Sequence, residues 1–302
     1  MHRVREQLGV PSPAVADGRG VTVGVLDTGI SQHPDLSGKL IGFQDFVGHR
    51  SLMYDDNGHG THVCGILGGD GSASRGIYMG MAPAVRLVVG KVLDEKGDGS
   101  TESMLEGLDW ILQIREQCRI RILNISVGIG TLDEMTKMRQ LKAKIEEVWD
   151  SGILVVCAAG NKGPDSGTVS EVGNSSKSIM VGCHDGSYAA GQAGRCETYS
   201  GRGKEGDALR KPDLVAPGTD IVSCNAHYYR IHGKYRNAYV SKCGTSMATP
   251  IVSGAAALAM QKFPQMTNEE CKQKLQYTAT DLYLPWNQQG WGMVNVERLL
   301  RE

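Results

Sequence analysis

The chain has 302 residues, enough for one large domain or two ordinary ones. Its 32 basic and 33 acidic residues give a formal net charge of -1, so no bulk charge recruits nucleic acid or an anionic lipid surface. No segment approaches the roughly 18 uninterrupted apolar residues of a membrane span. We therefore expect no nucleic-acid partner and no membrane partner.

Short apolar runs rich in Val and Ile alternate with helical patterns along the chain. The runs predict strands at 21–26, 85–93, 120–127, 152–159, 178–182 and 213–218. The helical patterns lie at 103–118, 133–151, 246–263 and 268–278. This alternation predicts an α/β fold, doubly wound, with a mostly parallel central sheet and helices on both faces. No repeat or linker divides the chain, so we predict one domain, 1–302, with 1–20 as an N-terminal arm.

The eight cysteines include no CxxC pair, and several lie inside strand-like or helix-like runs. This pattern favours buried thiols in a reducing compartment over a disulfide framework. The first twenty residues contain no apolar run long enough for a secretory signal. Together these features favour a cytoplasmic location; a leader that had been removed would indicate a secreted protein instead.

Three polar residues stand where a parallel sheet places its chemistry, outside the carboxyl ends of the strands. Asp27 closes the run VTVGVLD, His62 opens the helix-like HVCGILGG, and Ser246 lies in CGTSMATP at the start of a long helix of small residues. A nucleophilic serine needs a base within hydrogen-bond reach, and the base needs a carboxylate that fixes its tautomer. These three residues can supply those roles.

Acyl transfer also needs hydrogen-bond donors for the oxyanion of the tetrahedral intermediate. Asn161, at the end of the buried run GILVVCAAGN, offers a side-chain amide. The N–H groups at the start of the Ser246 helix offer a second donor, helped by the helix dipole. We therefore predict Asn161 in an oxyanion hole.

A second histidine, His59, stands three residues before His62 in DNGHGTHVCG. The pair, with Cys64, also permits a zinc or redox site. The glycines argue against a helix there, and no glutamate completes an HExxH pattern. We therefore predict that His59 is a hydrogen-bonded structural residue and that Cys64 packs near the imidazole of His62.

The blocks VGVLDTGI, HPDL, NGHGTHV, SVG, AAGN and GTSMATP, in this order between residues 20 and 260, resemble the signature blocks of the subtilisin-like serine proteases, the subtilases. The resemblance implies a single subtilisin-like domain with endopeptidase activity through an acyl-enzyme intermediate. It assigns Asp27, His62 and Ser246 to the catalytic triad and Asn161 to the oxyanion hole. It also implies that substrate binds as an extended strand, in a cleft flanked by Ser126, Val127, Gly128, Ala158, Ala159 and Gly160.

The resemblance implies no cofactor for the chemistry, but many of these proteins bind structural calcium. Asp35, in HPDL, matches a position that ligates calcium in many of them, and a hard cation needs several converging oxygens. The loop GGDGSASRGIYMGMAP does not resemble the usual calcium loop, so the sequence supports no calcium site and assigns no metal ligand. A catalytically silent binding protein with the same fold is the alternative function.

Overall fold

The computed structural model describes residues 1–127, 135–186 and 195–301. Its centre is a seven-stranded parallel sheet in the order β2-β3-β1-β4-β5-β6-β7. The strands are β1 (Thr22–Asp27), β2 (Leu40–Asp45), β3 (Arg86–Lys91), β4 (Ile120–Ile125), β5 (Leu154–Ala158), β6 (Ile179–Cys183) and β7 (Leu214–Ala216). All six residues of β1 are buried, as the continuous apolar runs predict for a sheet covered on both faces.

The strand order reverses direction beside β1. The chain passes from β1 through β2 to β3 on one side, and then continues from β4 to β7 on the other. Strand β1 pairs with β3 and with β4, so the switch point lies between β1 and β4. Such a switch point leaves a crevice at the carboxyl ends of the strands, where ligands bind in open α/β sheets.

Helices cover both faces of the sheet. Helix α2 (His59–Gly68) packs against α5 (Thr245–Lys262) on one face, and α3 (Thr101–Cys118) packs against α4 (Met135–Asp150) on the other. The remaining helices are α1 (His2–Gln7), α6 (Asn268–Thr278), α7 (Trp286–Gln289) and α8 (Val296–Leu299). Within the described ranges, no helix has the length and apolar character needed to cross a membrane. The predicted doubly wound α/β fold is confirmed.

Two smaller antiparallel pairs lie outside the main sheet. Strand β8 (Ile221–Cys224) pairs with β11 (Tyr239–Lys242), and between them the chain forms a hairpin of β9 (Tyr229–Ile231) and β10 (Lys234–Arg236). The sequence pattern predicted neither these four strands nor the edge strand β2. The hairpin strands are exposed throughout and β2 is only partly buried, so none of them carries the continuous apolar run of a buried strand.

The structure corrects the prediction for two of the cysteines. Cys183 at the end of β6 and Cys196 form a disulfide across 13 residues. Cys64, Cys118, Cys157, Cys224, Cys243 and Cys271 are free, and of these only Cys118 and Cys243 are not buried. Cysteine spacing alone did not reveal the bridge, because the fold and not the sequence distance brings these two residues together.

Candidate active site

Asp27 and His59 form the centre of the site. Asp27 is the last residue of β1 and is fully buried, and its Oδ1 lies 2.7 Å from Nδ1 of His59. The same oxygen accepts a hydrogen bond from Thr28 N at 2.7 Å. Burial lowers the pKa of His59, but the charge of Asp27 and its hydrogen bond outweigh burial, so the net shift of the His59 pKa is upward. The carboxylate thus fixes one tautomer of the ring and stabilises the imidazolium.

The structure contradicts the prediction that His62 is the base. His62 is buried one turn further along α2, and its Nε2 donates to the backbone oxygens of Ile221 at 2.9 Å and Val240 at 3.1 Å. Burial, with smaller contributions from the charges of His59 and Lys242, lowers the pKa of His62 to about 3. A ring whose donor is held by two carbonyls, and whose Nδ1 is buried without a partner, has no accessible lone pair for a serine proton.

The physical reason for the correction is where α2 begins. The helix starts at His59, and every later residue of the helix is buried. The side chain of His59 retains 22% of its accessible surface, whereas His62 lies in the protein interior. The helix therefore begins three residues earlier than the sequence pattern predicted.

Asp55 holds the start of α2 in place, a role that the sequence pattern did not predict. Its Oδ1 accepts from Thr28 Oγ1 at 2.8 Å and from Gly58 N at 2.7 Å. Its Oδ2 accepts from Thr61 N at 2.8 Å and from Thr61 Oγ1 at 2.6 Å. Burial raises the pKa of Asp55, but these donors overcome burial and lower it overall. A carboxylate near the first turn of a helix also matches the helix dipole.

Two glycines allow α2 to start this close to β1. Gly58, immediately before the helix, has a φ of 89°, in the left-handed region that favours glycine. A Cβ on Gly60 would lie 2.2 Å from the backbone oxygen of Gly29. Both residues are therefore required as glycine for His59 to reach Asp27, which explains the glycines that argued against a helix in the sequence.

Ser246 and Asn161 meet at the start of α5. Ser246 is the second residue of this helix and is half-buried. Asn161 follows β5, and its Oδ1 accepts from Thr245 N at 3.0 Å and from Thr245 Oγ1 at 3.1 Å. Because the amide oxygen is used in this way, the amide nitrogen of Asn161 remains a donor beside the backbone of residues 244–246. Within the described contacts, Ser246 makes no hydrogen bond to His59, and such bonds are often long before substrate binds.

The predicted cleft residues lie at the ends of β4 and β5. Ser126 and Val127 follow β4 and are buried, and Gly128 lies outside the described residues. The backbone oxygen of Ala159 accepts from Ser170 N at 2.8 Å, and that of Gly160 accepts from Gly201 N at 2.7 Å. These two carbonyls already accept hydrogen bonds within the protein, which helps to fix the segment that follows β5.

Two free thiols flank the site but differ in access. Cys64 is fully buried on α2, and burial raises the pKa of its thiol. Cys243 is exposed three residues before Ser246, and its sulfur accepts from Asp220 N at 3.2 Å. His59, His62 and Cys64 do not converge as a metal-ligating group among the described residues, so the zinc or redox alternative loses its basis.

The residues around Asp35 do not fit calcium. One carboxylate oxygen of Asp35 accepts from Ala73 N at 2.9 Å and the other from Tyr239 Oη at 2.8 Å. His33 and Cys224 lie close to Asp35, but they offer nitrogen and sulfur to a cation that takes six to eight oxygens. Protein donors therefore satisfy Asp35, and calcium binding is not shown.

A buried Asp–His pair at the carboxyl end of a parallel strand, together with a serine at a helix start, is typical of serine hydrolases of the triad type. The profile of the subtilase family matches residues 18–292. The chain belongs to the subtilase family and is therefore a serine-type endopeptidase that acts on proteins or peptides and needs no cofactor for its chemistry.

The chain is also similar to individual proteases. The chain is 40% identical over 292 residues to serine protease AprX of Bacillus subtilis (strain 168), covering 93% of this chain and 66% of AprX. It is 36% identical over 284 residues to subtilisin Savinase of Lederbergia lenta, covering 94% and 92% of the two chains. The solved structure of Sphericase superimposes with a TM-score of 0.77 at 29% identity, covering 93% and 92%. The chain thus spans about two thirds of AprX and nearly all of Savinase.

Proposed function

We propose that Asp27, His59 and Ser246 form the catalytic triad of this endopeptidase. The observation that carries the proposal is the 2.7 Å hydrogen bond between Asp27 and Nδ1 of His59, which leaves Nε2 as the ring nitrogen that can take a proton. His59 replaces His62 in the triad. The comparisons offer no support for a catalytically silent protein.

The reaction proceeds in two halves. Nε2 of His59 takes the proton of Ser246 Oγ as that oxygen attacks the scissile carbonyl. The amide nitrogen of Asn161 and the backbone N–H of Ser246 hold the developing oxyanion. His59 then returns its proton to the leaving amine. Water, activated by the same ring, hydrolyses the acyl-enzyme and releases Ser246.

Labelling with a phosphonofluoridate, followed by peptide mapping, tests the nucleophile. We expect the label on Ser246 and its loss in the His59→Ala variant. Ser246→Ala should lower the kcat for a peptide substrate by about 10⁶-fold, whereas removing the Asn161 amide with Asn161→Ala should cost about 10²- to 10³-fold. Full activity of either Ser246→Ala or His59→Ala would refute the assignment.

The cleft is proposed to bind substrate as an extended strand along the segment that follows β4. The support is that Ser126 and Val127 continue past the carboxyl edge of the sheet, next to the crevice between β1 and β4. Residues 158–160 are proposed to line the adjoining pocket. We also propose that neither nucleic acid nor a membrane takes part, which the near-zero net charge supports.

Residues 1–302 are proposed to form one catalytic domain, with 1–20 as its arm. The arm packs on the rest of the chain: Val4 is fully buried, and Arg5 donates to the backbone oxygen of Met81 at 2.9 Å. A cytoplasmic location is also proposed, on the strength of the six free cysteines; the Cys183–Cys196 disulfide is the feature that favours an oxidising compartment. Fractionation of native cells with thiol trapping tests it.

A further inference from the structure

A basic, largely exposed segment lies next to the proposed catalytic histidine. Residues 225–242 carry Arg230, Lys234, Arg236 and Lys242 and contain no acidic residue, although the whole chain has a net charge of -1. The three charged side chains of the β9–β10 hairpin are exposed. We call residues 227–236 together with Lys242 the basic hairpin surface.

The base of the hairpin is fixed to the helix that carries His59. The ring of His62 donates to backbone oxygens of β8 and β11, one turn below His59. A Cβ on Gly58 would lie 3.5 Å from Ala226 and 3.8 Å from the ring of His227, so the hairpin base lies against the residue that precedes His59. His62 therefore anchors the hairpin to α2.

Lys242 and Arg230 show where the positive charges lie relative to His59 and the hairpin. Lys242 ends β11, four residues before Ser246, and lies close enough for its charge to act on His59. Among the described residues, no carboxylate forms an ion pair with Lys242. At the other end, Arg230 lies over the ring of Tyr235 at 5.5 Å, which orders part of the hairpin.

The geometry of the reaction decides which part of a substrate would meet this surface. In sheet order, Asn161 follows β5 while Asp27 and His59 lie at β1, so the oxyanion side and the proton-donating side of the site are separated. His59 must reach the leaving amine to protonate it. The residues that follow the scissile bond therefore lie on the His59 side, where the basic hairpin surface is.

We propose that the basic hairpin surface binds the residues that follow the scissile bond and selects substrates with acidic side chains there. This inference rests on the proposed triad. Lys242, beside His59, meets the first one or two residues after the bond, and the hairpin meets those further along. Exposed charges act over about 8–10 Å at physiological salt, so several cations within that range act together on an acidic segment.

Quenched fluorescent peptides test the proposal directly. They share the same residues before the scissile bond and carry two Asp, two Gln or two Lys residues within the four positions after it. We expect the kcat/KM of the Asp peptide to exceed that of the Gln peptide by about 10-fold at low salt, since each exposed pair contributes up to about 5-fold. The ratio should fall toward one at about 1 M salt, where the screening length is about 3 Å.

Charge-removing variants locate the effect. Lys242→Gln should lower the Asp-to-Gln ratio about 3-fold, and the triple change of the three hairpin residues to Gln should bring it near two, as expected for exposed pairs. The matched control changes Arg3, Arg86 and Lys142 to Gln, which removes three exposed charges elsewhere. Each rate is divided by that of the same variant on an anilide that has no residue after the bond, so that a general loss of catalysis cancels.

Several outcomes would overturn the inference. Equal cleavage of the three peptides by the unmodified protein would do so, as would a control triple variant that lowers the ratio as much as the hairpin variant. Binding of a single-stranded oligonucleotide through the hairpin with no preference among the peptides would make the hairpin a nucleic-acid site instead. If no peptide is cleaved and Ser246 is not labelled, the proposed triad itself fails. Failure of the triad is therefore distinguishable from failure of the proposed substrate preference.

Discussion

Replacing Asp55 by Asn should loosen the start of α2 and displace His59, the proposed catalytic histidine. The carboxylate accepts four hydrogen bonds from Thr28, Gly58 and Thr61. An Asn at this position can accept on one side only, and its NH₂ would face two donors on the other. Each buried donor without an acceptor costs about 1–3 kcal/mol, so two of them predict a loss of about 2–6 kcal/mol in the free energy of unfolding.

Activity should fall together with stability in this variant. His59 begins the turn that Asp55 caps, and a displacement of about 1 Å in a catalytic group can cost about 100-fold in rate. Urea unfolding, carried out in the inactive Ser246→Ala background to prevent autolysis, measures the stability. Cleavage of a peptide anilide by the Asp55→Asn variant with Ser246 intact measures the rate.

Asp207→Asn provides the matched control, because Asp207 is exposed and the same chemical change there should alter stability by no more than about 0.5 kcal/mol.

The pKa of Asp55 is lowered in the folded state, so the contribution of its carboxylate to stability is fully present above the unfolded value of about 3.9 and is lost as the pH falls through the folded pKa. The difference in the free energy of unfolding between the Asp55→Asn variant and the unmodified protein should therefore become smaller in acid. If Asp55→Asn and Asp207→Asn have the same unfolding midpoint and the same rate of anilide cleavage at neutral pH, the reasoning is refuted.

Three other predictions concern the site and its surroundings. The acid limb of kcat/KM should lie above pH 6.5, because the pKa of His59 is raised and only the neutral ring accepts a proton; a limb near pH 3 would restore His62 as the base. Reducing the Cys183–Cys196 disulfide in the inactive background should lower the free energy of unfolding by about 3 kcal/mol, measured by urea unfolding with and without reductant. Iodoacetamide should modify Cys243 well before any buried thiol in the folded protein, as followed by mass spectrometry of timed samples. Modification of a buried thiol before Cys243 would contradict the exposure of Cys243.

The sequence was sufficient to predict the central sheet and the ends of its strands. Continuous apolar runs identified six of the seven strands, because a strand covered by helices on both faces needs apolar residues at every position. The strand-end rule then placed Asp27 and Asn161 at the carboxyl edge of the sheet, where the structure has them. The edge strand β2 lacked such a run, and five of its six residues are partly buried or exposed.

The hairpin and the disulfide depend on information that local patterns do not contain. The hairpin strands are three residues long and exposed, so neither periodicity nor hydrophobicity marks them. The disulfide joins residues that approach only once β6 and the segment after it have packed. Both features follow from tertiary packing, which the sequence order leaves open.

The prediction of His62 as the base failed for a specific reason, which lies in how α2 begins. A helix start is usually recognised from Ser, Thr, Asp or Asn at the N-cap, but here the N-cap is Gly58 and the capping carboxylate comes from Asp55, three residues earlier. Once the capping residue is assigned, the first turn contains His59 and the second begins with His62. A catalytic side chain on a helix that leaves the sheet edge must lie in the first turn, because each further turn carries it about 5.4 Å deeper. Ser246, the second residue of α5, meets the same condition.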